Sequence, residues 1–569
     1  MRRELGFPTL RFLPRRIGEV IQVDIANFAG PGAIRLLACL PPYLMNSPLQ
    51  GTSYIGYTRS SGTVIAGRSV VAATGETLAP DYVAATPAEV ETALQLAQQA
   101  FPVFSTLPGT VRAAFLRKVA DEIESVTEAI VVRGGLETAL PEARLRGETG
   151  RTIAQLQLFA SVIEEGSWVD ARIEHAQPER QPLPKPDLRS MLRPLGPVAV
   201  FCAGNFPLAY SVAGGDTASA LAVGCPVVVI AHHAHLGVAE IVGQAVIRAA
   251  QACGMPDGVF SLLYGGGRTI GQVVVSHPVI QAVGFTGSRA GGTALMAAAN
   301  ARPQPIPVFA EMSSINPVVI LEGALQRGEK ALATAYFGSL SLGVGQFCTN
   351  PGLVFLAGES TAEFLSTLAE LVTAGAAGTM LNSTIWQAYQ SATAAVASQP
   401  GVVTLASSRA TCGHSQSAPK VFLTTVAEFL ANPALHGEMF GPAALIVQGT
   451  PQEIEAAIPH LEGQLTASIH ATDAELAAHV SLVAALERRA GRLICNGFPT
   501  GVEVCHSMVH GGPFPATSDG RSTSVGSMAI FRFTRLVAYQ NFGEAALPAE
   551  LQEANPLGIR RLVDGKITP

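Results

Sequence analysis

The 569-residue sequence has little charge, no long uninterrupted apolar run and no closely spaced cysteines. Only 14% of its residues are charged, and a net charge of -6 excludes the basic surface that binds phosphate backbones. Its longest apolar stretch, residues 218–231, is interrupted by glycine and proline and falls short of the roughly 20 residues that a membrane helix needs. We therefore expect neither a nucleic acid nor a membrane as a partner.

The eight cysteines are scattered, without the spacing of zinc ligands or of a disulfide framework. This pattern predicts no metal site and favours a reducing, cytoplasmic location. Residues 1–44 carry six arginines and few acids, so they form either an organellar targeting segment or an extension that is flexible or misassigned, with Met45 as the true start. The second interpretation is favoured, because this stretch is rich in proline and leucine without clean periodicity.

The full sequence is 48% hydrophobic and too long for a single core, so two or more lobes are expected. Thr86 and Glu89 form a capping box that predicts a helix beginning at Pro87. Apolar spacing predicts further helical regions near residues 110–132 and 147–163. Prolines at 178–186 then predict an extended linker or edge strand between two lobes.

From Gly196 onward, short apolar runs alternate with helical patterns, which predicts a parallel sheet covered by helices on both faces. Ligands are expected at the carboxyl ends of its strands. A second alternating block, near residues 321–484, predicts another α/β lobe. The predicted strands of the first block are residues 198–201, 226–230, 259–263 and 280–285, and its helices are near 211–223, 238–253 and 289–299.

Cys348 is the first candidate for chemistry. Glycine and proline on either side of it, within residues 345–351, predict an irregular loop that can expose the sulfur. A nucleophilic thiolate needs such access. A small buried cysteine without a chemical role is the commoner case, so position alone leaves both interpretations open.

Asn205 and Glu311 are two further candidates. Asn205 follows the predicted strand that ends at Phe201, so its amide is expected at the carboxyl edge of the sheet. An Asx turn before Pro207 is the alternative. Glu311 stands among apolar and small residues. It is either a solvated loop carboxylate or a partly buried base whose pKa is raised by burial.

Three segments bear on a nucleotide cofactor. Gly287 and Ser288 lie where a predicted strand meets a helix, and backbone N–H groups there can bind a pyrophosphate. Arg268 follows three glycines and suits a 2′-phosphate, because guanidinium groups bind phosphate through two hydrogen bonds. The segment with Glu438 and Phe440 predicts by itself only a tight loop.

These motifs, in this order, resemble those of the aldehyde dehydrogenase family from about residue 74 to residue 569. The resemblance implies that Cys348 is the nucleophile, Asn205 an oxyanion donor and Glu311 the base. It also implies that NADP or NAD binds with its pyrophosphate at Gly287 and Ser288.

The resemblance further implies that the segment of Glu438 and Phe440 holds the nicotinamide ribose. Ile230 stands where the family usually has a lysine, which should weaken binding of a 2′-phosphate. A histidine from residues 232–235 could replace that lysine in part, although a run of loop histidines is more often surface.

Residues 496–506, 510–516 and 521–526 resemble one group within the family, the α-ketoglutaric semialdehyde (2,5-dioxovalerate) dehydrogenases. This implies oxidation of 2,5-dioxovalerate to 2-oxoglutarate through a cysteine thiohemiacetal and a thioester. Arg151 and Arg521 are candidates for the cation that meets the substrate carboxylate, although a structural ion pair or a solvated surface position is the commoner role for each. A broad-specificity aldehyde dehydrogenase and an inactive cofactor-binding paralogue are the alternatives.

The implied fold is α/β, with a Rossmann-type cofactor lobe, an α/β catalytic lobe and a small oligomerisation arm. The expected boundaries are a cofactor-binding domain at 45–320 with a bridging arm near 170–195, a catalytic domain at 321–510, and a C-terminal return and oligomerisation segment at 511–569. A homodimer or homotetramer is expected.

Overall fold

The computed structural model describes residues 49–358 and 361–568, apart from the side chains of Gly267 and Arg268. The expectations for residues 1–44 therefore lie outside the described residues. The described residues belong to one unit, Leu49–Pro569.

The strands that the structure describes fall into five sheets. Numbered in chain order, the strands are β1 Tyr54–Ile55, β2 Thr58–Arg59, β3 Ile65–Val70, β4 Thr77–Val83, β5 Arg172–Glu174, β6 Leu188–Pro194, β7 Val198–Phe201, β8 Val227–Ile230, β9 Phe260–Leu263, β10 Ala282–Thr286, β11 Val308–Glu311, β12 Val318–Ile320, β13 Leu353–Ala357, β14 Gly378–Thr379, β15 Val403–Ser407, β16 Gln416–Ser417, β17 Lys420–Thr425, β18 Ala443–Gly449, β19 Gln464–His470, β20 Ala490–Cys495, β21 Thr534–Gln540, β22 Arg561–Val563 and β23 Lys566–Thr568.

The α-helices lie between these strands and over their faces. They are Pro87–Phe104, Gly109–Glu124, Thr127–Thr138, Glu142–Glu165, Gly215–Val223, Leu236–Ala252, Gln272–Ser276, Arg289–Asn300, Glu322–Gln326, Glu329–Ser341, Ala362–Ala374, Ser383–Ala397, Val426–Ala431, Pro451–Ala457, Asp473–Ala478 and Val480–Glu487. The predicted capping box is confirmed, since Thr86 accepts from the Glu89 N–H and Glu89 accepts from the Thr86 N–H. Among the described residues, no helix has the length and apolar character to cross a bilayer.

The first sheet has the strand order β11-β10-β7-β8-β9-β1-β2, and its strands from β11 to β9 are parallel. Alternate residues of β7 and β8 pack into two different hydrophobic cores, with Val198 and Val227 in one and Ala199 and Val228 in the other. The sheet is therefore buried on both faces, as helix-covered parallel sheets are. This confirms the α/β prediction.

The winding of this sheet reverses at β7. The chain proceeds from β7 outward to β8 and β9, then returns to place β10 on the opposite side of β7. Ligands of open α/β sheets bind where the winding reverses, outside the carboxyl ends of the strands. Asn205 follows β7 and Ser288 follows β10, so the topology brings both residues to this point.

The second sheet has the order β15-β17-β18-β13-β12-β19-β20 and is parallel apart from β15. Six residues link β11 of the first sheet to β12 of the second. The loop that carries Cys348 leads into β13, a central strand whose residues are all buried. Glu311, at the end of β11, and Cys348 therefore approach the junction of the sheets from opposite sides.

A third sheet, with the order β21-β6-β5-β22-β23, joins the proline-rich connector to the C-terminal residues. The prolines at 178–186 lie between β5 and β6, where Gln177 and Lys185 form an isolated antiparallel bridge. Residues 178–183 form turns and bends inside this bridge, so the connector reverses direction here and is not the extended linker or edge strand that was predicted. The domain boundaries given above remain predictions.

Two further local predictions differ from the structure, and one element was not predicted. The helical region near residues 110–132 is two helices, because the first ends at Glu124 and the next begins at Thr127. The helix predicted near 211–223 begins only at Gly215, after a turn in which the Gly214 N–H donates to the Ser211 carbonyl at 2.9 Å. The antiparallel hairpin of β1 and β2 at the sheet edge was not predicted, because two-residue strands are too short to show a period.

Candidate active site

Cys348 lies in a turn between the 3-10 helix Leu342–Gly345 and β13, and its side chain is partly buried. The buried amide of Asn316 fixes this turn by donating to the carbonyls of Cys348 and Asn350, each at 2.9 Å. Gly345 has a positive φ of 66° and packs so closely on the backbone of Gly441 that an added Cβ would come within 2.3 Å of it. The cysteine loop is thus held from two sides.

Asn205 is brought to the cysteine loop. Its Nδ2 donates to the carbonyl of Gln346 at 3.1 Å, two residues before the cysteine. Buried Glu148 holds the Asn205 loop from below, since it accepts from the N–H groups of Leu208 and Ala209 at 3.0 Å. Among the described residues, none accepts a hydrogen bond from the Cys348 N–H. The Cys348 N–H thus has no acceptor in the described part of the chain, and the Asn205 amide lies against the loop that carries the cysteine.

Glu311 is buried and accepts two hydrogen bonds, one from His510 Nε2 at 2.9 Å and one from Ser524 Oγ at 2.9 Å. Burial alone would raise the pKa of its carboxyl, but His510 and Ser524 offset this effect, and the pKa lies below the usual 4.5. The expectation of a raised pKa was therefore wrong. The reason is that burial is combined here with donors that favour the ionised form.

His510 joins Glu311 to Cys348. Its Nε2 lies 3.5 Å from the sulfur, and the sulfur, this nitrogen and a Glu311 oxygen all lie within 4.8 Å of one another. Burial raises the pKa of the Cys348 thiol well above its usual 9.0, and the neighbouring Glu311 carboxylate raises it further. The arrangement therefore holds a neutral thiol beside an ionised carboxylate.

An apolar wall surrounds the sulfur. Phe206, Tyr210 and Phe347 are buried in one cluster against which Cys348 packs, with the Phe206 ring 5.6 Å from Phe347 and 5.1 Å from Tyr210. Such a wall excludes water from one side of the sulfur and strengthens electrostatic interactions there.

The predicted pyrophosphate residues begin the helix Arg289–Asn300 at the reversal of the first sheet. Ser288 caps this helix by accepting from the Gly291 N–H at 3.2 Å. A Cβ at Gly287 would come within 2.7 Å of the Phe285 ring, so a larger residue would crowd the turn. A helix N-terminus in this place suits an anion, and the residues therefore fit a dinucleotide pyrophosphate.

Glu438 lies near the cysteine, since its charge contributes to the raised pKa of the Cys348 thiol. Burial raises the pKa of Glu438 itself to about 7, against hydrogen bonds from Ser313 and the Ser314 backbone. Phe440 follows on the same loop and is partly buried. The loop thus holds a carboxyl that changes its charge near neutral pH in the neighbourhood of Cys348.

Two sets of residues were predicted to bear on the choice between NADP and NAD. They are Arg268, and Ile230 with the histidines that follow it. The side chain of Arg268 lies outside the described residues. Ile230 is buried at the end of β8, and the rings of His232 and His233 stack at 4.3 Å just beyond it. Burial lowers the pKa of His232 well below 6.5 and also lowers that of His233. Neither histidine therefore supplies the positive charge of the missing lysine.

Sequence reasoning gave no role to His510, Ser524 or Asn316. His510 and Ser524 occur in segments that the sequence analysis had singled out, but histidine and serine on a glycine-rich loop do not reveal which distant carboxylate they meet. Only the return of the C-terminal segment beside β11 brings His510 and Ser524 to Glu311.

A thiol, a buried carboxylate and free amide donors, placed beside the ligand-binding edge of a parallel sheet, define a class of enzyme in which a cysteine attacks a carbonyl carbon. The sequence profile of the Aldehyde dehydrogenase family matches residues 63–530. The chain therefore belongs to the aldehyde dehydrogenase family and is an oxidoreductase.

Two similar curated proteins are alpha-ketoglutaric semialdehyde dehydrogenase 2 of Azospirillum brasilense and alpha-ketoglutaric semialdehyde dehydrogenase of Acinetobacter baylyi. The first is 51% identical over 91% of this chain and 99% of its own length. The second is 45% identical over 85% of this chain and 92% of its own length. Among solved structures, a betaine aldehyde dehydrogenase mutant from Staphylococcus aureus in complex with NAD+ shares the fold, with a TM-score of 0.74 at 17% identity over 86% of this chain and 96% of that chain.

Proposed function

We propose that this protein oxidises 2,5-dioxovalerate, α-ketoglutaric semialdehyde, to 2-oxoglutarate with NAD or NADP. The similarity to the Azospirillum brasilense dehydrogenase, 51% identity over nearly the whole of both chains, carries the choice of substrate. Cys348, Glu311 and Asn205 would supply the chemistry. In support, the Cys348 sulfur and a Glu311 oxygen lie within 4.8 Å of each other, and the Asn205 amide donates to the carbonyl of Gln346 on the cysteine loop.

The first step is attack of the Cys348 thiolate on the aldehyde carbon. The neutral thiol must lose its proton, and ionised Glu311 within 4.8 Å is the base. Transfer across this gap needs a small approach of the two groups or one bridging water. The Nε2 nitrogen of His510 faces both groups, so its single N–H stabilises whichever of them is the anion rather than relaying a proton between them.

The attack turns the carbonyl oxygen into an alkoxide on a thiohemiacetal. The amide of Asn205 and the free N–H of Cys348 would donate to it, and donors fixed in advance stabilise the charge as it develops. Loss of hydride from the same carbon then leaves a thioester on Cys348. Glu311, after giving up the thiol proton to solvent, accepts a proton from the water that attacks this thioester. The departing thiolate takes that proton from Glu311, so the acid is released and both the thiol and the ionised carboxylate are restored.

NAD(P)+ supplies the hydride acceptor when bound. The N-terminus of the helix that begins after Ser288 would hold its pyrophosphate, with Gly287 leaving room for the turn. Glu438 would accept hydrogen bonds from the hydroxyls of the nicotinamide ribose, and Phe440 lies on the same loop. Ile230 and the uncharged histidines after it support NAD over NADP.

Replacing Asn205 by alanine is expected to lower kcat by about 100- to 1000-fold, because one of two oxyanion donors is lost. The measurement is the steady rate of NAD(P)H formation at saturating 2,5-dioxovalerate. Asn300→Ala, at the exposed end of the helix Arg289–Asn300, is the matched control and should retain wild-type turnover. Near-normal kcat in the Asn205 variant would exclude it from the oxyanion site.

Binding of the cofactor is expected to depend on pH through Glu438. Its pKa is about 7, so the carboxylate that accepts ribose hydroxyls forms as the pH rises through neutrality. The KM for NAD+ should therefore fall with rising pH in the wild type, and Glu438→Gln should have a higher KM that no longer changes with pH. An unchanged pH dependence in the variant would show that another group titrates.

The function itself is tested by initial rates on 2,5-dioxovalerate, hexanal and benzaldehyde, each with NAD and with NADP. Preference for 2,5-dioxovalerate in kcat/KM supports the proposal. Similar values for all three aldehydes would favour a broad-specificity aldehyde dehydrogenase. Cofactor binding without any aldehyde-dependent NAD(P)H formation would indicate an inactive paralogue.

We further propose a cytoplasmic location and assembly as a homodimer or homotetramer. All seven cysteines in the described residues are free, which suits a reducing compartment. The third sheet ends at β21, whose Leu536 is exposed, and an edge strand with an apolar side chain is suited to pairing with another subunit.

A further inference from the structure

Arg151 points toward the reaction centre from the helix Glu142–Glu165. Its Nη2 donates to the Tyr210 hydroxyl at 3.0 Å, and its guanidinium carbon lies 5.2 Å from the Tyr210 ring centre and 5.9 Å from that of Phe206. Both rings belong to the apolar wall against which Cys348 packs. The cation therefore lies at the lining of the space in front of the sulfur.

Arg492 approaches the same wall from β20 of the second sheet. Its Nη1 and Nη2 donate to the carbonyls of Gly501 and Pro499, each at 2.8 Å, and Nη1 lies 3.7 Å from the Met508 sulfur. Met508 and Cys348 both pack against the apolar wall. The Nε of Arg492 is buried and has no hydrogen-bond partner among the described residues.

Neither guanidinium forms an ion pair with an acid in the part of the chain that the structure describes. Glu148 is near Arg151, but its oxygens are occupied by Arg144 at 3.0 Å and by the backbone of the Asn205 loop. Burial lowers the pKa of Arg492, and Arg151 lowers it further, so the two cations also repel each other. Partial burial of a cation without a neighbouring anion costs free energy, and a ligand carboxylate would offset this cost for both arginines.

We propose that Arg151 and Arg492 together bind the carboxylate of the aldehyde substrate and thereby select an oxo-acid over a neutral aldehyde. The inference rests on the proposed function, in which the carboxylate of 2,5-dioxovalerate lies four carbon–carbon bonds from the aldehyde carbon. Arginine binds carboxylate through paired charge-assisted hydrogen bonds, and the free Nε of Arg492 is one such donor.

Arg521, the second candidate from the sequence, does not meet this requirement. Its side chain is 93% exposed and is paired with Asp519 at 3.1 Å. A solvated arginine that is already paired contributes little binding free energy to a substrate that binds beside the buried Glu311. Arg521 is therefore a matched control for the two arginines of the site.

The test compares kcat/KM for three aldehydes of equal chain length, namely 2,5-dioxovalerate, 5-oxopentanoate and pentanal, in wild type, Arg151→Gln, Arg492→Gln and Arg521→Gln. Each of the first two variants is expected to lose about 10- to 100-fold with both acids, mainly through KM, which is the effect of one charged hydrogen bond. The loss with pentanal is expected to be smaller by about tenfold. Arg521→Gln should behave like the wild type.

Equal losses with pentanal and with the acids would overturn the inference, because they would show that the arginines only support the fold. Inhibition of pentanal oxidation by 2-oxoglutarate gives a second readout, and Arg151→Lys, which retains the charge, should weaken it less than Arg151→Gln. An equal inhibition constant in all variants would also overturn the inference.

The two proposals fail in distinguishable ways. A wild-type enzyme that shows no preference for 2,5-dioxovalerate over pentanal would overturn the proposed function and this inference with it. A wild-type preference that survives in both arginine variants would overturn only the role of the arginines.

Discussion

Replacing Cys348 by alanine is expected to abolish aldehyde-dependent NAD(P)H formation, with a loss on the order of 10⁵- to 10⁶-fold in kcat. Every covalent step in the proposed reaction occurs on this sulfur, and no other described thiol shares its contacts with His510 and the Glu311 carboxylate. The measurement is a stopped-flow trace followed to many turnovers. Neither a first-turnover burst nor a steady rate should be seen.

Cys253→Ala is the matched control, because this cysteine caps the helix Leu236–Ala252 and is also only partly buried. It should retain wild-type activity. Cofactor binding, followed by quenching of tryptophan fluorescence, should survive in Cys348→Ala and so separate lost chemistry from lost structure. A Cys348 variant that still turns over at a few per cent of wild type would remove the covalent mechanism.

The sequence predicted the elements that position the site more reliably than the contacts within it. The buried runs near residues 198–201 and 226–230 became β7 and β8 because valine-rich segments of this length suit a sheet covered on both faces. Gly287 and Ser288 were found at a strand-to-helix turn, as predicted. Local patterns suffice for such elements because each depends on a few neighbouring residues.

The electrostatic state of the site could not be read from the sequence. Glu311 was expected to have a raised pKa, yet His510 and Ser524, about 200 residues later in the chain, lower it. Likewise, nothing local to Arg492 indicates that it faces Arg151 or that both lack an acid. Such properties arise when separate segments meet, so they follow from the fold and not from a motif.

Replacing Glu311 by glutamine is expected to lower the steady rate by about 100- to 10,000-fold, the usual contribution of a general base. Glutamine retains the size of the side chain and can still accept from Ser524, but it cannot take a proton from the thiol or from water. The thiol can also lose its proton to solvent at high pH, whereas thioester hydrolysis is expected to depend on Glu311 as its base. For Glu311→Gln we therefore expect a slow burst of about one NAD(P)H per active site, followed by a much slower steady rate. Cys348→Ala, in contrast, should form no NAD(P)H in either phase.

The variant His510→Phe is the control for this prediction. His510→Phe keeps a ring in the buried site but removes the N–H that Glu311 accepts at 2.9 Å. Burial then acts on the Glu311 carboxyl with less opposition, so its pKa should rise from below 4.5 toward neutrality. A base is active only when ionised, so the acid limb of the kcat profile should move to higher pH in His510→Phe and should be absent from Glu311→Gln. An acid limb at the same pH in His510→Phe and the wild type would show that His510 does not control this carboxylate.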